Sequence, residues 1–314
     1  VSMELDIITI GESLIELSTN AKMSQAGCLY KYYGGDAIAT AIAALRMGSK
    51  VGFVTRVGND AFKDYLLDSW QAEGLDISQV KLTDEPNGMY IVARPSIQEK
   101  EVVYYRKKIA SSKLSLEDID IEYLKKANVV YASGVTQSLS PSANEAVETT
   151  FRLAKENGIT TAYDPNYYSA ISTPEEARES FNRISSYIDI LFMSTKHDTI
   201  NILDIDSPEN IIKKLWDMGI STIVLKASDK NGYYTGYNGN IVFTEFYTND
   251  VIDTTCSGDT FNGGFLHALT HGFTPFEAAK FASIVAGLQA KGIGAIKSIP
   301  YKDEVYSIYR GNNG

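Results

Sequence analysis

Short β-branched runs alternate with longer amphipathic segments along most of this chain, and that alternation leaves few architectures open. Leu5–Ile10 reads as a buried strand. Asp36–Met47 reads as a helix, with Ile38, Ala41, Ile42 and Leu45 at i, i+3, i+4 and i+7 and Gly48 as its stop. A strand over Lys50–Thr55 precedes a helix over Ala61–Glu73, whose expected inner face is Phe62, Tyr65, Leu66 and Ser69. Strand Val129–Ala132, helix Ser142–Asn157, strand Thr160–Tyr163 and a helix near Glu175–Ser185 follow. Then come strand Ile188–Met193, helix Pro208–Met218 and strand Ser221–Leu225. Strands separated by helices of this length predict an α/β fold, a parallel sheet with helices on both faces. The 314 residues suit one large domain with an insertion.

Two regions break the rhythm. Leu14–Tyr33 and Asn87–Arg106 carry no helical period, and Met89–Ala93 with Glu101–Tyr105 reads as a hairpin. β material inside an α/β chain predicts a small sheet projecting from the main body. Tyr233–Phe246 is a further hairpin, turning at Asn238-Gly239.

Open parallel sheets bind ligands beyond the carboxyl ends of their strands. The places to inspect are Gly11-Glu12, Asp164-Pro165-Asn166, Ser194–His197, Lys226 and the turn before Gly258. That last turn belongs to the stretch DTTCSGDTFNGGF, Asp253 to Phe265, which feeds an apolar helix over Thr260–Leu269. Backbone amides at Cys256, Ser257, Gly258 and Asp259 would point outward at a helix start, which makes an anion site suited to phosphate. Asp259 is then either an ordinary acid in a first helical turn or a base that takes a proton from an attacking hydroxyl. The segment alone supports both equally.

Charge and cysteine usage exclude several function classes. A net charge of −10 argues against nucleic-acid or anionic-membrane surfaces. It leaves anionic ligands open, since a few amides and cations in a cleft suffice for those. Two cysteines, Cys28 and Cys256, make no disulfide framework. No apolar run approaches the ~20 residues that span a bilayer, and the start enters a strand pattern rather than a signal peptide. The expectation is a soluble, cytoplasmic protein.

Gly34-Gly35-Asp36 at the head of the first helix, Asp253–Phe265, and Gly292-Ile293-Gly294-Ala295 after a second apolar helix together resemble the ribokinase-like, or PfkB, family of sugar kinases. The resemblance covers essentially the whole chain. It implies a Rossmann-like body carrying a β lid, here the insertions at about 12–34 and 87–113, as one domain over 1–314. It implies Asp259 as the base and Cys256, Ser257 and Gly258 as the anion hole. Gly34, Gly35 and Asp36 would contact sugar hydroxyls. ATP with Mg²⁺ would be the donor, flanked by Ser194, Lys226, Ser228 and Gly258, with the adenine near Ala286 and Gly292; a monovalent cation is compatible with the family. A homodimer or higher homo-oligomer through the lid is the expected assembly.

The chain departs from the family in places. Cys256-Ser257 replaces the usual Gly-Ala, Ala39 an asparagine, Ser194-Thr195-Lys196-His197 an Asn-x-x-Glu, and Ser228-Asp229-Lys230-Asn231 a Gly-x-x-Gly turn. The changes at Ser194–His197 and Ser228–Asn231 keep open a catalytically impaired sugar-binding protein on the same fold. The segment Val103–Ser115 is similar to the lid of 2-keto-3-deoxygluconate kinases, which implies Tyr104, Arg106 and Tyr90 as substrate contacts. Arg106 suits a carboxylate; it also suits a solvated strand edge. Asp164 and Asn166 are sugar-contact candidates, or an Asx turn. Tyr167-Tyr168 stands where such kinases carry an arginine, which favours a neutral ketose such as fructose. A nucleoside kinase shares the same core motifs. His267 and His271 have zinc-like spacing but no third ligand; His271 reads as a helix-end cation. No metal-ligand set is assigned.

Overall fold

The computed structural model describes residues 4–96, 98–248 and 250–312. Its strands are β1 (Leu5–Ile10), β2 (Leu14–Thr19), β3 (Tyr30–Gly34), β4 (Val51–Gly58), β5 (Val80–Thr83), β6 (Met89–Ala93), β7 (Glu101–Tyr105), β8 (Ala127–Ser133), β9 (Thr160–Asp164), β10 (Ile190–Ser194), β11 (Thr222–Ala227), β12 (Gly232–Tyr237) and β13 (Asn240–Glu245). Its α-helices are α1 (Asp36–Met47), α2 (Lys63–Glu73), α3 (Ile121–Leu124), α4 (Gly134–Gln137), α5 (Pro141–Glu156), α6 (Pro174–Ile184), α7 (Pro208–Asp217), α8 (Ser257–Thr270), α9 (Pro275–Ala290) and α10 (Lys302–Asn312).

Nine strands form the main sheet in the order β13-β12-β11-β10-β9-β8-β1-β4-β5. From β11 to β5 the pairing is parallel, as the alternation demands. Successive side chains of β1 go to opposite faces: Ile7 joins a core with α1, α8 and α9, whereas Ile8 and Ile10 join one with α5, α6 and α7. The Tyr233–Phe246 hairpin extends this sheet rather than projecting from it. Its strand β12 pairs antiparallel with β11, and Asn238 (φ 50°) with Gly239 (φ 77°) makes the tight turn.

The two aperiodic regions meet in a separate four-stranded sheet, β3-β2-β6-β7. Its strands fall within residues 12–34 and 87–113. On the expected inner face of α2, Leu66 is buried and Phe62 and Tyr65 pack half-buried against the core; Trp70, not among the expected residues, is buried too, edge-on to Phe53 and Tyr33. The helix also starts at Lys63, because Asp60 accepts the Phe62 amide at 2.9 Å and holds a turn there.

Helix α8 crosses between α1 and α9. Gly263 and Gly264 make this possible: an added Cβ would meet Ala43 Cβ at 2.6 Å or Val285 Cγ2 at 3.0 Å. The buried α1–α8–α9 layer therefore fixes where the polar start of α8 emerges.

Candidate active site

The start of α8 lies beside the carboxyl ends of β8, β9 and β11. Cys256 precedes it in a left-handed conformation (φ 59°), a geometry that favours glycine. No side chain caps this terminus. The Ser257 amide is taken by the Thr254 carbonyl at 3.0 Å, so it drops out of the expected row of four donors. Gly258 and Asp259 occupy the second and third helical positions, where amides have no partner within the helix.

Asp259 is buried in this first turn. Its carboxylate accepts from Asn166 Nδ2 at 3.4 Å, and its carbonyl accepts from Thr40 Oγ1 at 3.2 Å. Burial, and then the negative charge of Asp36, push its pKa well above the carboxylate range, while Lys226 opposes them. A carboxylate made more basic in this way is a better proton acceptor.

A cavity of about 230 Å³ opens over Asp259. Gly35, Asp36, Tyr90, Tyr104, Arg106, Asn166 and Cys256 line it with Asp259, which brings eight expected site residues together. Asp36 is fixed by Ser133 Oγ and by the Ala37 amide at 2.7 Å. Gly34 acts through its missing side chain: a Cβ there would collide with the Tyr90 hydroxyl, which donates to buried Glu16. Tyr168 also lines the cavity, edge-on to Tyr104 at 6.1 Å.

Arg106 faces this space, but it is already paired. It bonds to Glu12, which is buried and lines the same cavity. Burial raises the Glu12 pKa to about 7; the Arg106 charge pulls it down and Asp36 pushes it up. Position 12 was marked by the strand-end rule without any role, so the pairing was invisible in the sequence.

Behind the cavity, Lys226 Nζ donates to Asp164 Oδ2 at 2.6 Å and to the Gly258 carbonyl at 3.2 Å. Asn262 Nδ2 also donates to Asp164 Oδ2 at 2.7 Å, and the Asn166 amide donates to Oδ1 at 2.9 Å. Asp164 is thus buried and occupied, outside the cavity lining. It shapes the turn that presents Asn166 (φ 44°). Asp198, one residue past Ser194–His197, is buried too. It accepts from the Ser194 amide at 2.6 Å and the Tyr167 amide at 2.7 Å, tying two strand-end loops together. Burial and the nearby Asp164 raise its pKa to about 6.

Residues 4–302 match the family described as pfkB family carbohydrate kinase. The chain belongs to the pfkB family of carbohydrate kinases. It is 28% identical over 312 residues to a 2-dehydro-3-deoxygluconokinase of Thermoproteus tenax, covering 98% of this chain and 94% of the relative. It is likewise 28% identical over 308 residues to an ATP-dependent 6-phosphofructokinase of Thermoanaerobacterium thermosaccharolyticum, covering 97% and 94%. A protein of Escherichia coli solved in complex with ATP and Mg²⁺ shares the fold at TM-score 0.89 and 22% identity, over 98% of this chain and 99% of that one.

A pfkB-family kinase must hold a nucleotide phosphate against its acceptor, and the uncapped start of α8 suits that group. Gly258 has no side chain to block it, and Lys226 Nζ lies 3.2 Å from where a Cβ would stand. Among the described residues no group of three His, Cys, Asp or Glu gathers. Ser194 ends β10 opposite Lys226 in register, and Ser228 follows β11. Gly292 packs against Ser298. Ala286 is a correction: it has no exposed surface and packs in the core of α9, so it offers a ligand nothing to touch.

The two histidines are structural. His267 bonds Ser49 Oγ and Tyr306 OH through its two ring nitrogens, each at 2.8 Å, and His271 caps the end of α8. Both cysteines are free thiols. No helix among the described residues is long and apolar enough to cross a membrane.

Proposed function

We propose that this pfkB-family kinase transfers the γ-phosphoryl group of MgATP to a hydroxyl of a sugar acid of the 2-dehydro-3-deoxygluconate type. The observation that carries this is a single cavity holding both Asp259 at an uncapped helix start and Arg106 with Tyr90 and Tyr104. MgATP supplies the phosphoryl group and charge neutralisation at the phosphates. Asp259 takes the proton from the attacking hydroxyl. The Gly258 and Asp259 amides hold the transferring group. Asp36 and Asn166 orient hydroxyls, and Arg106 takes a carboxylate or oxo oxygen. The likeness to a 2-dehydro-3-deoxygluconokinase supports the same acceptor.

Two observations favour a second reading, a neutral ketose such as fructose. Glu12 already neutralises Arg106, and Tyr168 occupies the cavity wall. A coupled ADP-release assay over 2-dehydro-3-deoxygluconate, gluconate, fructose, ribose and adenosine separates these. ADP production that depends on the sugar acid supports the first reading, and fructose alone supports the second. Sugar binding with no ADP from any acceptor returns the protein to a binding role.

The small sheet is proposed to close over the acceptor as a lid and to pair with a second copy. Tyr30 (60% exposed) and Tyr105 (56% exposed) sit on its two edge strands and support that pairing. Free thiols support a cytoplasmic location.

A further inference from the structure

Glu12 presents its two carboxylate oxygens to different surroundings. Oε1 accepts from Arg106 Nη2. Oε2 is buried without a hydrogen-bond partner. The side chain is 1% exposed, yet it lines the cavity above Asp259. A buried carboxylate oxygen lacking a donor is costly, and such atoms in a stable fold call for an explanation. A ligand that fills the cavity with a hydroxyl supplies the missing donor.

Arg106 is the other half of the arrangement. Its guanidinium lies 5.4 Å from the Tyr104 ring centre and is held by Glu12 through one nitrogen. The guanidinium carries further N–H donors in a fixed plane. Glu12 therefore aims the fork while keeping one oxygen of its own for a ligand.

We infer that Glu12 contacts the acceptor sugar directly: Oε2 accepts a hydrogen bond from a sugar hydroxyl, while the Arg106 fork takes an oxo or carboxylate oxygen of the same molecule. The pair selects polyhydroxy compounds that carry an oxidised carbon. Molecules lacking the matching hydroxyl leave Oε2 unpaired and are rejected, as sites built around a substrate hydroxyl do. The inference rests on the cavity as the acceptor site, and not on which sugar fills it.

The test uses ADP release at pH 8, where the Glu12 carboxyl is ionised. The wild type and Glu12→Gln are titrated with 2-dehydro-3-deoxygluconate and fructose, and with monodeoxy analogues of whichever is turned over. Loss of one charge-assisted hydrogen bond predicts a rise of at least ~10-fold in sugar KM. The KM for ATP should stay within about twofold, because the contact is not made to the nucleotide. The wild type should also discriminate ~10- to 100-fold against one monodeoxy analogue, and Glu12→Gln should lose that discrimination. Unchanged discrimination in the variant overturns the inference, since Glu12 would then act only by holding Arg106. The analogue series on the wild type stands even if the variant unfolds: equal use of every monodeoxy analogue also overturns it. Turnover of fructose alone would sink the sugar-acid reading and leave this test intact.

Discussion

Arg94, just past the end of β6, and Asp253, in the turn that leads to the start of α8, form an ion pair at 2.8 Å with both side chains nearly buried. The contact joins the small sheet to the turn before α8. Asp253 is a hub: it also accepts from the Thr255 amide at 3.0 Å and the Gly294 amide at 3.2 Å. Burial pushes its pKa up, but Thr255 and Arg94 bring it below the usual value.

Arg94→Gln should destabilise the fold by about 2–3 kcal/mol. That is under the ~3–5 kcal/mol of an isolated buried pair, because Lys100 at 3.8 Å and the Thr255 and Gly294 donors still serve Asp253. The sugar KM should rise too, as the sheet loses its tie to the turn. A urea midpoint unchanged from wild type at equal m-value contradicts this.

Asp259→Asn should lower turnover by ~10²–10⁴-fold, the usual worth of a positioned base. Calorimetric sugar affinity should fall much less, because asparagine keeps the shape and the bond to Asn166. Near-normal kcat in that variant removes Asp259 as the base.

Gly34→Ala places a methyl group where the Tyr90 hydroxyl sits. Tyr90 must swing away and break its bond to Glu16. The expected cost is about 1–3 kcal/mol of stability, with a raised sugar KM. A variant whose melting temperature and KM match the wild type refutes this packing argument.

His267 sets a pH effect on stability. Burial, helped by the neighbouring His271, lowers its pKa to about 3. An unfolded histidine titrates near ~6.5, so only the unfolded chain binds this proton between those values. The stabilising contribution is therefore full above ~6.5 and is lost as pH falls, at up to ~1.4 kcal/mol per unit. Glu12 and Asp198, raised to about 7 and about 6, act in the opposite direction. The measurement is the difference: from pH 7 to 5, the wild type should lose ~2 kcal/mol relative to His267→Gln. Parallel stability curves for the two proteins rule the effect out.

Periodicity located most of the main-sheet strands and their crossover helices, because burial on one face repeats every two or 3.6 residues and leaves its mark locally; β5 and α10 were not read from it. Leu5–Ile10 and Asp36–Met47 were legible to the residue. The small polar run before the apolar helix marked its approach, but the expected helix began at Thr260, whereas α8 begins at Ser257 and takes Gly258 and Asp259 into its first turn. Trp70 lies one turn past Leu66 on the same face of α2, but its ring partners Phe53 and Tyr33 come from other elements, so its packing is not written in the helix itself. What the tertiary structure decided is which charges face one another. Glu12 meets Arg106 across 94 residues, Lys226 meets Asp164 across 62, and Arg94 meets Asp253 across more than 150. Such pairs leave no periodic trace, since each side chain alone looks like any solvated charge. Only burial makes them pair, and burial is a property of the folded whole.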